Sequence, residues 1–268
     1  MIMKKKLTVV CCYNDKKQYS RLVKTLSEQT VSCELIGIDN CSNTFPSAAS
    51  ALNSAAGKIQ TEYVVYSHQD IRLQKPDLLQ TFLTYVCQIQ TGDILGVAGA
   101  VKNPDRHSSD LEFVASKILH GPGHASAGEI DYSGMIPCET VDECFFGGKT
   151  ETFVKAPFDE KLCPGWHLYA VDRCLFAHSF GRSVYVCDLP LVHESGGKID
   201  HSYNLNFYRI AKHYAQLNSN SQKKSDVPQR KSSRIRCIRT VCGSAKTDFI
   251  HRSYFYLKRE LLFFLHRL

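Results

Sequence analysis

The chain has 268 residues, 43% hydrophobic and 22% charged, which suits one large α/β domain, with or without an appendage, and a sizeable core. Its net charge of +7 is unevenly placed: from Gln222 to Leu268 twelve Lys/Arg stand against three Asp/Glu, leaving residues 1–221 close to neutral. Twelve scattered cysteines with no C-x-x-C argue against a disulfide framework or zinc site and for reduced thiols in a cytosolic protein, and no stretch approaches the ~18–20 apolar residues of a membrane span.

Lys4-Lys5-Lys6 followed by Leu7–Tyr13 resembles the start of a signal peptide. The apolar run is short, however, and Asn14-Asp15-Lys16-Lys17 stands where a small-residue cleavage site would be, so Leu7–Cys12 reads as a first strand. Tyr19, Leu22, Val23 and Leu26 then recur at helical spacing up to Gln29. Cys33–Ile38 is a second strand ending at Asp39-Asn40, and Ala48–Ala56 a helix stopped by Gly57. Tyr63–Tyr66 is a third strand, Asp77–Gln90 a helix and Ile94–Val101 a fourth strand. This rhythm predicts a mainly parallel sheet with helices on both faces.

Residues 102–137 read as long irregular structure around a short helix at Leu111–Leu119, of the kind that forms lids or acceptor walls. Regular structure returns with a strand at Val141–Gly148 and a short helix at Glu151–Lys155. A helix at about His167–Phe180, a strand at Ser183–Val186 and a last body helix at Asn204–Leu217 follow, and Asn218–Lys224 is a polar linker. The expected division is a body at 1–217, with a nucleotide-binding half (1–101) and an acceptor half (102–217), and a tail at 218–268.

Ligands of parallel sheets gather beyond the carboxyl ends of the strands. Asn14-Asp15, Asp39-Asn40 and His68-Gln69-Asp70 all fall there. An Asp after a strand, in an open loop, suits a divalent cation held against a diphosphate, because Mg²⁺ or Mn²⁺ sits on one or two carboxylates plus substrate phosphates. There is neither a GxGxxG nor a P-loop, which weakens dinucleotide and NTPase readings.

Four segments carry a resemblance over roughly residues 7–215. They are Val9-Val10-Cys11-Cys12-Tyr13-Asn14-Asp15; Gly37-Ile38-Asp39-Asn40-Cys41-Ser42; Asn53-Ser54-Ala55-Ala56-Gly57 leading to Tyr63–Asp70; and Phe158-Asp159-Glu160 through Trp166–Asp172 to Pro190–Gly197. In that order they resemble family 2 glycosyltransferases of the GT-A fold, in the branch typified by a streptomycin-biosynthesis protein. The resemblance implies that Tyr13, Asn14 or Asp15, with Asp39 and Asn40, hold the nucleoside, and that His68-Gln69-Asp70 stands at the Asp–X–Asp motif for metal and donor diphosphate. Only the final carboxylate of that motif is present. His193 matches a position that completes the metal shell in several such enzymes. The Glu-Asp motif carrying the general base reads Val171-Asp172 here, without its Glu; Asp142 is the second candidate base.

The implied reaction is an inverting transfer from a nucleotide sugar, with Mn²⁺ or Mg²⁺ as cofactor. Charge develops on the leaving diphosphate, where a cation favours the transition state over the ground state. The attacking hydroxyl needs a carboxylate within about 2.6–3.2 Å, which divides the work between Asp70 and Asp172. Trp166 can cover a sugar face and exclude water. Each residue has a structural rival: Asp39 and Asp70 as turn formers, Asp172 as an ordinary helix residue, His193 as a hydrogen-bonded strand end, Trp166 as core. His120 and His124 receive no role. The reading requires Asp39, Asp70 and Asp172 to meet around one pocket.

In the tail, Arg230–Arg236 opens a cationic stretch, and Ile250, Tyr254, Leu257, Leu261, Phe264 and Leu268 fall at helical spacing with the charges largely off that stripe. A basic amphipathic helix suits an anionic bilayer surface; docking on the body is its rival, and no fold motif supports nucleic-acid binding. The expectation is a cytoplasmic enzyme, peripheral at the inner face of the plasma membrane, with a glycan or lipid-linked glycan acceptor. Two rival functions are a non-catalytic nucleotide-sugar-binding module and a sugar nucleotidyltransferase; the latter usually needs a glycine-rich loop after the first strand, which Tyr13–Lys17 lacks.

Overall fold

The first strand, β1 (Leu7–Tyr13), alternates its side chains between two cores, as the period of two in a strand requires. Leu7, Val9 and Cys11 face one core, Val10 the other. Helix α1 (Lys16–Ser27) follows, then β2 (Glu34–Asp39), α2 (Ala48–Asn53), a 3₁₀ turn at Ala56–Lys58 and β3 (Tyr63–Ser67), which is buried throughout. Next come the short β4 (Ile71–Arg72), α3 (Leu78–Val86), β5 (Ile94–Gly96), β6 (Ala98–Lys102), β7 (Glu112–Ser116), β8 (Leu119–His120), β9 (Ala125–Ser126), β10 (Met135–Pro137) and β11 (Thr140–Val141). The chain continues with β12 (Phe145–Lys149), α4 (Thr150–Lys155), α5 (Tyr169–Ser179), β13 (Val184–Cys187), β14 (Val192–His193) and α6 (His201–Gln222). This computed structural model describes residues 6–102, 112–121, 123–194 and 201–222; the expected tail helix lies outside the described residues.

A seven-stranded sheet in the order β10-β13-β5-β12-β3-β1-β2 forms the centre. Leu22 and Leu26 of α1 and Leu79, Phe82 and Val86 of α3 cover one face; α2, α4, α5 and α6 cover the other with Leu52, Phe153, Cys174 and Ile210. The α/β architecture with helices on both faces is as expected. Its parallel part is β2-β1-β3 and β5-β13, while β12 runs antiparallel to both β3 and β5. A parallel neighbour needs a long crossover, usually helical. The chain reaches β12 through the strand-and-loop excursion after β5, which leaves it free to enter antiparallel. The strands pack so closely that a Cβ on Gly147 would lie 2.0 Å from the Val64 carbonyl oxygen.

Several expected elements differ. The strand predicted over Ile94–Val101 is broken at Val97 into β5 and β6, which belong to different sheets. The one predicted over Val141–Gly148 is interrupted at Asp142–Cys144, where Asp142 Oδ1 accepts from the Cys144 N–H at 2.8 Å. The helix expected at Leu111–Leu119 is instead β7 and β8: β7 pairs antiparallel with β6, from Ala98↔Ser116 to Lys102↔Glu112, so tertiary pairing overrides the local pattern. The helix α6 continues to Gln222, through most of the expected linker, because Asn, Ser and Gln tolerate a helix they do not favour. Cys11, Cys138, Cys163 and Cys187 are buried free thiols, as the scattered spacing implied. Among the described residues no helix is long and apolar enough to cross a membrane.

Candidate active site and metal centre

The carboxyl ends of β1, β2 and β3 lie side by side, Tyr13 paired with Asp39 and β1 paired with β3. Gln69 ties the first of these ends to the third. Its side-chain oxygen accepts the N–H groups of Asn14 and Asp15, both at 3.0 Å, and its amide donates to Asn14 Oδ1 at 2.7 Å. Asp15 is the N-cap of α1, its carboxylate accepting from the N–H groups of Lys17 (2.8 Å) and Gln18 (3.1 Å). Asn40 is buried and closes its loop onto Phe45, accepting the Phe45 N–H at 2.8 Å. These three side chains hold loops in place.

Asp39 is exposed. One oxygen accepts the Cys41 N–H at 2.9 Å and the other lies 3.5 Å from Lys16 Nζ; the backbone bond leads in holding its carboxyl below the usual range. Beside it Tyr13 stacks on Tyr19, with ring centroids 4.0 Å apart. That stack crosses Gly37, where a Cβ would come within 2.2 Å of the Tyr19 hydroxyl oxygen and would push the Tyr19 side chain aside.

At the end of β3, His68, Asp70 and His193 come together, each offering one ligand atom, all within 4.8 Å of one another. The two acidic-motif residues arrive on one loop; His193 arrives on β14, which pairs antiparallel with β4 so that His193 faces Ile71, next to Asp70. His193 Nε2 is 3.4 Å from Asp70 Oδ1. The His68 and His193 rings are 5.6 Å apart. Burial is the main cause that lowers the His68 pKa, and it favours the neutral imidazole that a metal ligand must be. Behind the cluster the Glu194 carboxylate joins Arg72 of β4 (2.7 Å) to Arg21 of α1 (3.2 Å).

His120 lies on β8 directly opposite His193, its ring 5.1 Å away. Tyr169, the first residue of α5, places its hydroxyl 3.3 Å from His68 Nε2. The charges of Asp142 and Glu143 act on both His68 and Tyr169. No local signal in the sequence marks His120, Tyr169 and Glu143: strand pairing brings His120 near the motif, the start of α5 brings Tyr169, and the break between β11 and β12 carries Glu143. In the sequence, the Tyr-Ala-Val-Asp run draws notice to its Asp, and His120 stands among glycines that suggest a loop.

Asp172 sits differently. It is buried, with 6% exposure, and its Oδ1 accepts from the Tyr214 hydroxyl of α6 at 3.0 Å. Desolvation is the main reason its pKa rises to about 7. Its charged neighbours are Asp159 and Arg173, whereas those of the His68 cluster are Asp142 and Glu143. Of the expected trio, Asp39 closes the β2 end beside β1 and Asp70 follows the β3 end that Gln69 ties to β1, while Asp172 bonds Tyr214 of α6. Trp166 is 40% exposed, in a loop whose Gly165 carbonyl accepts the Ala48 N–H at 3.1 Å at the start of α2.

The model of a family described as "Glycosyltransferase like family" matches residues 8–214. The chain belongs to that family. No curated protein matches the sequence. Among solved structures, GalNAc-T7 with UDP, GalNAc and Mn²⁺ superposes with a TM-score of 0.55 at 11% identity, over 96% of this chain and 57% of that one. A Pyrobaculum calidifontis mannosyltransferase with GDP-Man and Mn²⁺ gives 0.50 at 14% identity, over 97% and 70%. S. aureus TarS (residues 1–349) with UDP-GlcNAc gives 0.51 at 12%, over 84% and 68%. At such identities the likeness is one of fold, and the fold is GT-A. This member of the family spans little more than half the length of GalNAc-T7.

The donor set fits a divalent ion. Two imidazoles and one carboxylate are a mixed nitrogen and oxygen set, which Mn²⁺ accepts and which Mg²⁺, preferring oxygen throughout, suits less well.

Proposed function

We propose that this glycosyltransferase-family protein transfers a sugar, with inversion, from a nucleotide-sugar donor to a glycan acceptor, lipid-linked and reached from the cytoplasmic face of the membrane. The supporting observation is the convergence of His68, Asp70 and His193 at the end of β3, joined by Gln69 to the β1 end and flanked by the exposed Asp39 of β2. Asp39 and the Tyr13–Tyr19 stack line the place of the nucleoside, and Asn14 and Gln69 shape its wall. Asp70, His68 and His193 would hold a divalent cation, Mn²⁺ before Mg²⁺, that neutralises charge on the departing diphosphate.

Asp142 is the better placed of the two expected bases, because its charge bears on the cluster itself, while Asp172 serves the α5–α6 contact. Trp166, half in solvent beside the start of α2, covers the sugar. The segment order supports assignment to the streptomycin-biosynthesis-type branch. Residues 1–217 act as the catalytic unit, α6 continues from it to Gln222, and the remainder to 268 acts as a basic anchor for an anionic membrane surface.

Thermal shift against a panel of nucleotide sugars, with and without Mn²⁺, tests this reading. One donor should stabilise the protein in a Mn²⁺-dependent way, Asp70→Asn should abolish the Mn²⁺ dependence, and Asp142→Asn should retain donor binding but lose transfer by at least 100-fold. Binding of a donor without any transfer or hydrolysis by the unaltered protein would favour a non-catalytic binding module. No stabilisation by any nucleotide sugar would refute the proposal.

A further inference from the structure

His68 has two ring nitrogens, and the fold has already committed one of them. Its Nε2 lies 3.3 Å from the Tyr169 hydroxyl. The Tyr169 ring has little freedom to move away: it is buried, packs edge-on against Phe158 (5.7 Å between centroids) and is tilted against Phe146 (6.1 Å). The backbone that presents it is equally constrained. Leu168, immediately before, adopts a left-handed conformation with φ 67°, which is strained for a non-glycine residue and persists only where surrounding contacts impose it. Here the Leu168 N–H donates to the Glu143 carboxylate. Strain, an aromatic wall and a buried acceptor thus all act to aim one hydroxyl at one nitrogen.

We propose that Tyr169 is a positioning residue for the metal centre, fixing His68 as the Nε2–H tautomer so that Nδ1 is the atom that ligates. The inference rests on the metal reading above. A ligating histidine carries its proton on the nitrogen away from the metal and gives it to a fixed acceptor, which sets both the tautomer and the ring plane. In this arrangement His68 Nε2–H donates to the Tyr169 oxygen. The phenol proton turns toward the carboxylates of Asp142 and Glu143, whose charges act on it and which only accept when ionised. No atom changes bonding partners permanently; the relay is one of orientation. It also gives a use for the unusual order of His68-Gln69-Asp70, since a histidine at the first position needs an outer partner that an aspartate would not.

The test uses the full chain labelled with ¹⁵N-histidine, with His68→Gln to assign its signals. Long-range ¹H–¹⁵N correlation without metal should report His68 as the Nε2–H tautomer. Titration with Mn²⁺ alone, followed by calorimetry and by loss of the free-ion electron paramagnetic signal, should show Tyr169→Phe binding about 10–100-fold more weakly than the unaltered chain. Circular dichroism should be unchanged, because phenylalanine keeps the ring packing. An Nδ1–H tautomer in the unaltered protein, or unchanged Mn²⁺ affinity in a folded Tyr169→Phe, overturns the assignment of Tyr169 and leaves the metal site standing. Absence of Mn²⁺ binding by the unaltered chain overturns the metal reading, and this role with it. The tautomer measurement needs no variant of Tyr169, so misfolding of that variant does not shelter the idea.

Discussion

Replacing Glu194 by Gln should destabilise the protein far more than replacing its exposed partner Arg21. The Arg72 side chain is only 8% exposed, and its Nη2 meets Glu194 Oε2 at 2.7 Å. Removing one member of a buried pair costs about 3–5 kcal/mol, because a charge is left uncompensated. Two features reduce that figure here. Glu194 is itself 30% exposed, and Arg72 keeps the carbonyls of Gln69 (2.9 Å) and Ile71 (2.7 Å). Glutamine also retains an acceptor oxygen, so about 1–2 kcal/mol is expected, at the lower end of a charged hydrogen bond. For a chain of this size that lowers Tm by roughly 2–8 °C. Arg21, 49% exposed at 3.2 Å, belongs to the surface class, and Arg21→Gln should cost under about 0.5 kcal/mol. Urea and thermal denaturation at low and high salt would measure both. Equal effects, or a Glu194→Gln cost within about 0.5 kcal/mol of zero, would refute the view that Arg72–Glu194 locks β4 to β14.

Asp172 should give a pH-dependent signature. Its folded pKa of about 7 exceeds the usual 3.8, so the folded state holds the proton more tightly and stability falls as pH rises from about 4 to about 7. Asp172→Asn should match the unaltered protein near pH 4 and exceed it at pH 8 by of order 2–4 kcal/mol in denaturant melts; a pH-independent difference would show that the carboxyl is not buried as described. Truncation after Ser221 should leave a folded protein with the same Mn²⁺ response and reduced sedimentation with anionic liposomes, and unchanged sedimentation would remove the membrane role of the tail.

The parallel βαβ half was legible because each element carries its own signal. Leu7–Cys12 and Tyr63–Tyr66 are short apolar runs, and Leu22 and Leu26 keep helical period, as β1, β3 and α1 bear out. Between the strands predicted at Ile94–Val101 and Val141–Gly148 the structure was not legible. β7 and β8 are strands because they pair with β6 and β14, and Leu111–Leu119 has apolar spacing compatible with either structure. At the site, local chemistry was ambiguous in a specific way. Asp15, Asn40 and Gln69 sit at strand ends where ligands gather, yet each bonds backbone nearby or across the crevice. Asx residues serve turns and caps with the same atoms that would bind a ligand, so sequence position could not separate the two uses.

Register distinguishes the candidate metal site from its scaffolding. His193 reaches Asp70 because β14 pairs with β4 as Val192↔Arg72 and His193↔Ile71, and it meets His120 because β8 pairs with it as His193↔His120. A slip of one residue in either pairing would turn an imidazole to the opposite face. The Arg72–Glu194 pair, one residue beyond each partner of His193↔Ile71, resists such a slip by meeting a desolvated charge with a carboxylate in this alignment. A buried ion pair contributes little to net stability against an apolar replacement, but a wrong alignment takes the carboxylate from Arg72, at a cost of about 1–2 kcal/mol like that of Glu194→Gln. On this argument the double replacement Arg72→Met with Glu194→Leu should preserve Tm and still weaken Mn²⁺ binding, since what the pair supplies is alignment of His193 with Asp70.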